Sequence, residues 1–126
     1  MTRVLDSSAV LAFIWAEPGN GIVAGLLEGS MIGAVNYAEV CTKLVDFGMS
    51  AEDAAVAVNE LNIDVISFDA DQALAAARLR SSTKHAGLSL GDRACLALAL
   101  ARNAEAVTAD RAWTGLVVGV GIRQIR

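Results

Sequence analysis

The sequence is poor in the residues that usually give a function away. It holds two cysteines, Cys41 and Cys95, one histidine, His85, and one proline, Pro18, in 126 residues. Neither cysteine has a Cys or His neighbour at metal-ligand spacing, which excludes a zinc site, and both sit in apolar helical patterns as reduced core thiols do. Positive charge is also scarce: ten Lys and Arg stand against 14 Asp and Glu, for a net charge of −4. That balance excludes general, charge-driven binding of nucleic acid, though not an enzyme that grips one short segment locally. Gly119-Val120-Gly121 lacks the third glycine of a dinucleotide fingerprint, that place being Gln124, and no helix follows it. There is no internal repeat, low-complexity tract or linker.

Long hydrophobic runs are missing too. The chain is 55% hydrophobic, yet the longest apolar runs, Ala9 to Ala16 and Ala94 to Ala101, are eight residues each. A membrane span needs roughly 18. Asp6 interrupts the first apolar stretch and only Arg3 is basic there, so the pattern is not that of a signal peptide. The expectation is a cytoplasmic protein with one domain over residues 1–126 and no membrane partner.

What is present is an alternation of short apolar runs and helical periods. A strand ends on Asp6, and a helix from Ser8 to Ala16, capped by Ser7 or Ser8, runs to a stop at Glu17-Pro18-Gly19-Asn20. Gly21 to Gly29 resumes helical period, and Met31 to Val35 reads as a buried strand. Asn36 is placed as the cap of a helix that stops at Gly48, and Ser50 as the cap of Ala51 to Leu61. Ile63 to Phe68 reads as a strand, Ala70 to Ser81 as a helix capped by Asp69, and Ser82 to Leu88 as a polar loop. Ser89 caps an apolar helix to about Arg102, Ala106 to Thr108 is a strand, Asp110 to Thr114 a helical turn, and Leu116 to Ile125 a last strand. This alternation predicts an α/β domain whose central, mostly parallel sheet of about four to five strands is flanked by helices.

Four acids share one kind of local setting. Asp6 ends a strand beside a helix start, and Asp110 follows the strand ending in Thr108. Asn36-Tyr37-Ala38-Glu39 and Ser89-Leu90-Gly91-Asp92 have the form of a capping box, with an acid three residues after the cap. Taken singly, each acid suits a helix N-terminus. Taken together in a parallel sheet, Asp6, Glu39, Asp92 and Asp110 would converge on one edge, where ligands of open α/β sheets bind. Four clustered carboxylates repel one another, and a hard divalent cation, Mg²⁺ or Mn²⁺, resolves that repulsion. Asp6 and Asp92 are then the best direct ligands, with Glu39 and Asp110 binding through water or orienting a bound water.

The stretches Val4-Leu5-Asp6-Ser7-Ser8-Ala9, Asn36-Tyr37-Ala38-Glu39-Val40, Leu88-Ser89-Leu90-Gly91-Asp92-Arg93-Ala94 and Thr108-Ala109-Asp110-Arg111-Ala112-Trp113 together resemble a PIN-domain ribonuclease. More closely, they are similar to the VapC toxins of type II toxin–antitoxin systems. The resemblance implies a Mg²⁺ or Mn²⁺ site at Asp6, Glu39, Asp92 and Asp110, with Ser8 and Thr108 in support. It implies a metal-dependent endoribonuclease that cuts single-stranded or structured RNA by metal-activated water, leaving 5′-phosphate and 3′-hydroxyl ends. It also implies a homodimer and a neutralising antitoxin protein.

Substrate contact is read from local basicity. Arg78, Arg80, Lys84, His85 and Arg93 fall in one segment with a single acid, Asp92, and Arg111 follows the fourth acid. These six are the candidate RNA contacts. Trp113 is expected as a packing anchor. Two rivals use the same acidic edge: a phosphoacceptor signalling module, for which no Lys follows Lys84, and a non-catalytic interaction domain that keeps the acids as caps alone.

Overall fold

Val4 and Leu5 are neighbours in one strand, so their side chains leave the sheet on opposite sides, and both are wholly buried. Met31 and Ile32, and Ala106 and Val107, are likewise neighbours with both side chains buried. A sheet buried on both faces needs helices above and below, and the computed structural model, which describes residues 2–126, has that three-layer form. The strands are β1 (Arg3–Leu5), β2 (Met31–Gly33), β3 (Asp64–Ile66), β4 (Glu105–Thr108) and β5 (Ile122–Gln124). They form one sheet in the order β3-β2-β1-β4-β5, every pair parallel.

One layer holds α1 (Ser7–Ile14), α2 (Asn20–Ala24), α3 (Ala34–Asp46) and α4 (Ala51–Asn59). Val10, Val23, Val40, Leu44 and Val58 from these helices pack with Leu5, Ile32 and Val107. The other layer holds α5 (Ala70–Arg78), α6 (Arg80–Thr83) and α7 (Leu90–Arg102). There Ala76, Leu79, Cys95, Leu96 and Leu98 pack with Val4, Met31, Ala106 and the fully buried Trp113, the expected anchor. Because β2 and β4 flank β1 on opposite sides, the connections diverge between β1 and β4. That is the switch point at which an open parallel sheet leaves a crevice at its carboxyl end.

Several boundaries differ from the sequence expectation, each for a local reason. β2 ends at Gly33, and the extended Gly33 is itself the N-cap, so α3 starts at Ala34 rather than after Asn36. α1 starts at Ser7 with Asp6 at its N-cap position, and neither serine serves as a side-chain cap. The second helical stretch is only Asn20–Ala24. The segment expected as a loop, Ser82 to Leu88, is instead helical: α6 runs into a 3₁₀ turn, Lys84–Ala86, and Thr83 Oγ1 donates to the Leu79 carbonyl at 2.7 Å. The last strand is shorter than Leu116 to Ile125, since Gly115 and Gly119, at φ 79° and 88°, turn the chain before Ile122 and leave Val117 92% exposed. Among the described residues no helix is long and apolar enough to cross a membrane.

Candidate active site

Asp6 stands at the switch point. Leu5 pairs with Val107, so the next residues along, Asp6 and Thr108, face each other across the ends of β1 and β4, and the Asp6 amide donates to the Val107 carbonyl at 2.9 Å. Its side chain is only 2% exposed. Oδ2 accepts two hydrogen bonds, from Ser8 Oγ at 2.5 Å and from Thr108 Oγ1 at 3.0 Å. The two hydroxyls lie 3.2 Å apart, but each has one proton and gives it to Asp6. Their lone pairs are used as well: Ala109 N–H donates to Ser8 Oγ and Asp110 N–H to Thr108 Oγ1, both at 3.0 Å. Both hydroxyls are therefore fixed in orientation by the backbone that follows β4. Oδ1 of Asp6, in contrast, is buried with no partner among the described residues.

Two more acids reach this point from the helix layers. Glu39 lies in the second turn of α3, so the capping role expected from Asn36-Tyr37-Ala38-Glu39 does not exist. Asn36 is instead fully buried, and its Nδ2 donates to Glu39 Oε1 at 2.9 Å and to the Gly91 carbonyl of α7 at 3.0 Å. Ser7 Oγ donates to the same Oε1 at 3.1 Å. Asp92 keeps its capping box: Ser89 N–H donates to Asp92 Oδ2 at 2.9 Å, and Asp92 N–H donates to Ser89 Oγ at 3.2 Å. Asp110 closes the turn after β4, accepting from Ala112 N–H at 2.9 Å through Oδ1.

A common arrangement emerges from these bonds. In each acid one oxygen is tied to the protein, and the other, Asp6 Oδ1, Glu39 Oε2, Asp92 Oδ1 or Asp110 Oδ2, takes no donor among the described residues. The anchored oxygen sets the rotamer and leaves the second one for a ligand. Burial, with the Asp92 and Glu39 charges adding to it against the lowering hydrogen bonds of Ser8 and Thr108, raises Asp6 from its usual 3.8 to about 6. Burial also pushes the Cys95 thiol well up, and the charges of Asp6, Asp92 and Glu39 add to that, so Cys95 is an inert core thiol. Asp6, Glu39 and Asp92 thus act on one another as a group. Asp110 is not among the charges that act on Asp6 or Cys95, and it sits one step out along the same edge.

All four free atoms are carboxylate oxygens, the donor type that Mg²⁺ and Mn²⁺ take and that softer ions do not need. An orphaned carboxylate oxygen in the interior is costly unless a cation or a proton meets it. The residues present therefore fit a hard divalent ion. Among the described residues no three His, Cys, Asp or Glu side chains already enclose an ion position.

The basic candidates divide. Arg78, Arg80, Lys84, His85 and Arg111 are exposed and form no ion pair among the described residues. The stretch holding the first four leads directly into Ser89 and Asp92. Arg93 differs from the expectation: it is half-buried, and its guanidinium donates to the Ala76 carbonyl at 3.0 Å, binding α5 to α7. Sequence reasoning missed Ser7, Asn36 and Gly91 as site residues. Only Gly91 carried a signal, an isolated glycine inside a helical pattern.

The Asp6 environment predicts a pH effect on the metal-free protein. The folded chain holds the Asp6 proton up to about pH 6, whereas the unfolded chain releases it near 3.8, so stability falls as pH rises through that window. In urea unfolding with EDTA, the stability difference between wild type and Asp6→Asn should change by roughly 2 kcal/mol between pH 4 and pH 7.5, in favour of the variant at high pH. A difference that stays constant across this range contradicts the assignment.

Residues 3–116 match the PIN domain family. Among curated proteins none matches the chain. Solved structures with the same fold include VapBC2 from Rickettsia felis, bound to a DNA fragment from its promoter, at 17% identity and TM-score 0.74 over 98% of each chain. VapBC-1 from nontypeable Haemophilus influenzae is 18% identical with TM-score 0.73, over 99% of this chain and 98% of that one. VapBC-5 from Mycobacterium tuberculosis is 22% identical with TM-score 0.64 over 98% of each. Identities this low speak for the fold alone, but the family match spans nearly the whole sequence: the chain belongs to the PIN domain family.

Proposed function

We propose that the protein is a metal-dependent endoribonuclease and the toxin of a toxin–antitoxin pair. The observation that carries the reading is the buried, unpartnered Oδ1 of Asp6, set at the switch point with Glu39 and Asp92 beside it. Asp6, Glu39 and Asp92 would hold Mg²⁺ or Mn²⁺ through their free oxygens, Asp110 contributing from the edge. An ion bound there supplies a water of lowered pKa and stabilises charge on a phosphoryl oxygen. Ser8 and Thr108 keep Asp6 in one rotamer and favour its ionised form, while Ser7 and Asn36 hold the Glu39 carboxylate through Oε1. Asp110, anchored by its own turn, would orient the attacking water. No residue is needed as a covalent nucleophile: water would attack the phosphorus in line, the P–O3′ bond would break, and the products would carry 5′-phosphate and 3′-hydroxyl ends.

Arg78, Arg80, Lys84, His85 and Arg111 are read as the grip on RNA phosphates, being exposed and without acidic partners in a protein otherwise short of positive charge. Solved structures of similar fold include a toxin–antitoxin complex from Klebsiella pneumoniae and VapBC-5, a member of the VapBC family of toxin–antitoxin systems. By that likeness we assign this chain a cognate antitoxin that covers the acidic edge, a homodimeric state and a cytoplasmic site of action.

The purified protein should cut single-stranded or looped RNA in Mg²⁺ or Mn²⁺, stop in EDTA, and lose at least a hundredfold in rate on Asp92→Asn. A small protein encoded directly upstream should block the cleavage. Cleavage that persists in EDTA and leaves 2′,3′-cyclic ends would overturn the mechanism. In the same assay, Arg80→Ala and Lys84→Ala should raise KM with kcat little changed, and each should flatten the salt dependence of RNA binding by about one phosphate contact. An unchanged KM and salt slope in both would remove this segment from the substrate path.

A further inference from the structure

Glu39 owes its place, besides Ser7, to two residues that carry no carboxylate of their own. Asn36 is fully buried one helical turn before Glu39 on α3, and its amide spans the gap to α7, donating to Glu39 Oε1 and to the Gly91 carbonyl. Gly91 is the residue before Asp92, buried in the first turn of α7. A Cβ built at Gly91 would meet Oε2 of Glu39 first and would lie 2.7 Å from both Cδ and Oε1, well inside van der Waals contact. Its backbone is helical, with no left-handed conformation to demand glycine, and alanine is the better helix former there. The glycine is therefore explained by the carboxylate that lies against it.

We propose that Asn36 and Gly91 form a built seat for Glu39 and act as positioning residues of the metal site. The seat joins the two helix layers above the sheet. Asn36 pulls the α3 acid towards α7, and Gly91 leaves the hollow that the carboxylate enters next to Asp92. The spacing of the second and third acids is thereby set by the protein before any ion arrives. Oε1 is held by Asn36 and Ser7, and Oε2 takes no protein donor. In Gly91→Ala the new methyl group has to displace Glu39, and the displaced group is the far end of a flexible side chain, so the carboxylate moves while the fold persists. The proposal rests on the reading of Glu39 as part of a metal site.

Calorimetric titration of Mn²⁺ into the whole chain at pH 7.5, with thermal unfolding in EDTA alongside, tests it. Gly91→Ala should melt at or above the wild-type temperature and yet bind Mn²⁺ 10- to 100-fold more weakly, the usual cost of losing the support of a ligand. Asn36→Ala should weaken Mn²⁺ binding to a similar degree. Adding Gly91→Ala to Glu39→Gln should have no further effect, because the group it displaces no longer carries charge. Wild-type Mn²⁺ affinity in Gly91→Ala, alongside weakened affinity in Glu39→Gln, overturns the seat and leaves the metal-site reading standing. Wild-type affinity in Glu39→Gln, or a wild-type protein that takes up no Mn²⁺, overturns both. Should Gly91→Ala fail to fold, Asn36→Ala, which removes the bridge without adding volume, decides by the same criterion.

Discussion

A carboxylate buried at the meeting point of two parallel strands is the constraint around which the rest of this fold is arranged. Asp6 lies in the interior with one oxygen saturated by Ser8 and Thr108 and the other unpartnered, and two further acids raise its affinity for a proton. Desolvating a charge while surrounding it with like charge is costly in free energy, and nothing in the packing of the two cores requires it. Val4 and Leu5 next door already fill both faces of the strand. A chain that keeps such a group maintains a site at the expense of stability, as functional sites commonly do.

The topology explains how four acids from distant parts of the sequence reach one edge. β1 and β4 are adjacent and parallel while their connections run to opposite sides, so the residues following each, Asp6 and Asp110, open onto the same crevice. Glu39 comes over from the α1–α4 layer and Asp92 from the α5–α7 layer, and Asn36 fastens one layer to the other where they meet. In every case the protein fixes one oxygen and leaves one free. That division gives orientation without using up the capacity to bind, which is what a preorganised site needs.

Much of this was legible in the sequence, and the misses have physical causes. The strand-to-helix turn at Asp6, the capping box at Ser89 and Asp92, and the parallel alternation all follow from short-range pattern, and all hold in the structure. Glu39 was placed at the right edge for a partly wrong reason. Its spacing from Asn36 mimics a capping box, but the extended Gly33 starts the helix earlier and turns Asn36 inward, where it does long-range work. The contacts of Asn36 with Gly91 and of Arg93 with Ala76 join residues far apart in the chain, and no local pattern encodes them. The segment Ser82 to Leu88 reads as a loop because it is polar, yet Ser82 to Ala86 is helical, with Ser82, Lys84 and His85 facing outward while Thr83 and Leu88 are buried.

Of the two rivals, a set of acids kept purely as helix caps is hard to reconcile with Glu39, which caps nothing, or with an orphaned oxygen on Asp6. The central claim is that this oxygen exists to meet a cation. Calorimetric titration of Mn²⁺ at pH 7.5 into wild type and Asp6→Asn tests it most directly, with circular dichroism showing that both are folded. The account predicts binding by the wild type and none by the variant. Equal binding to both would contradict it.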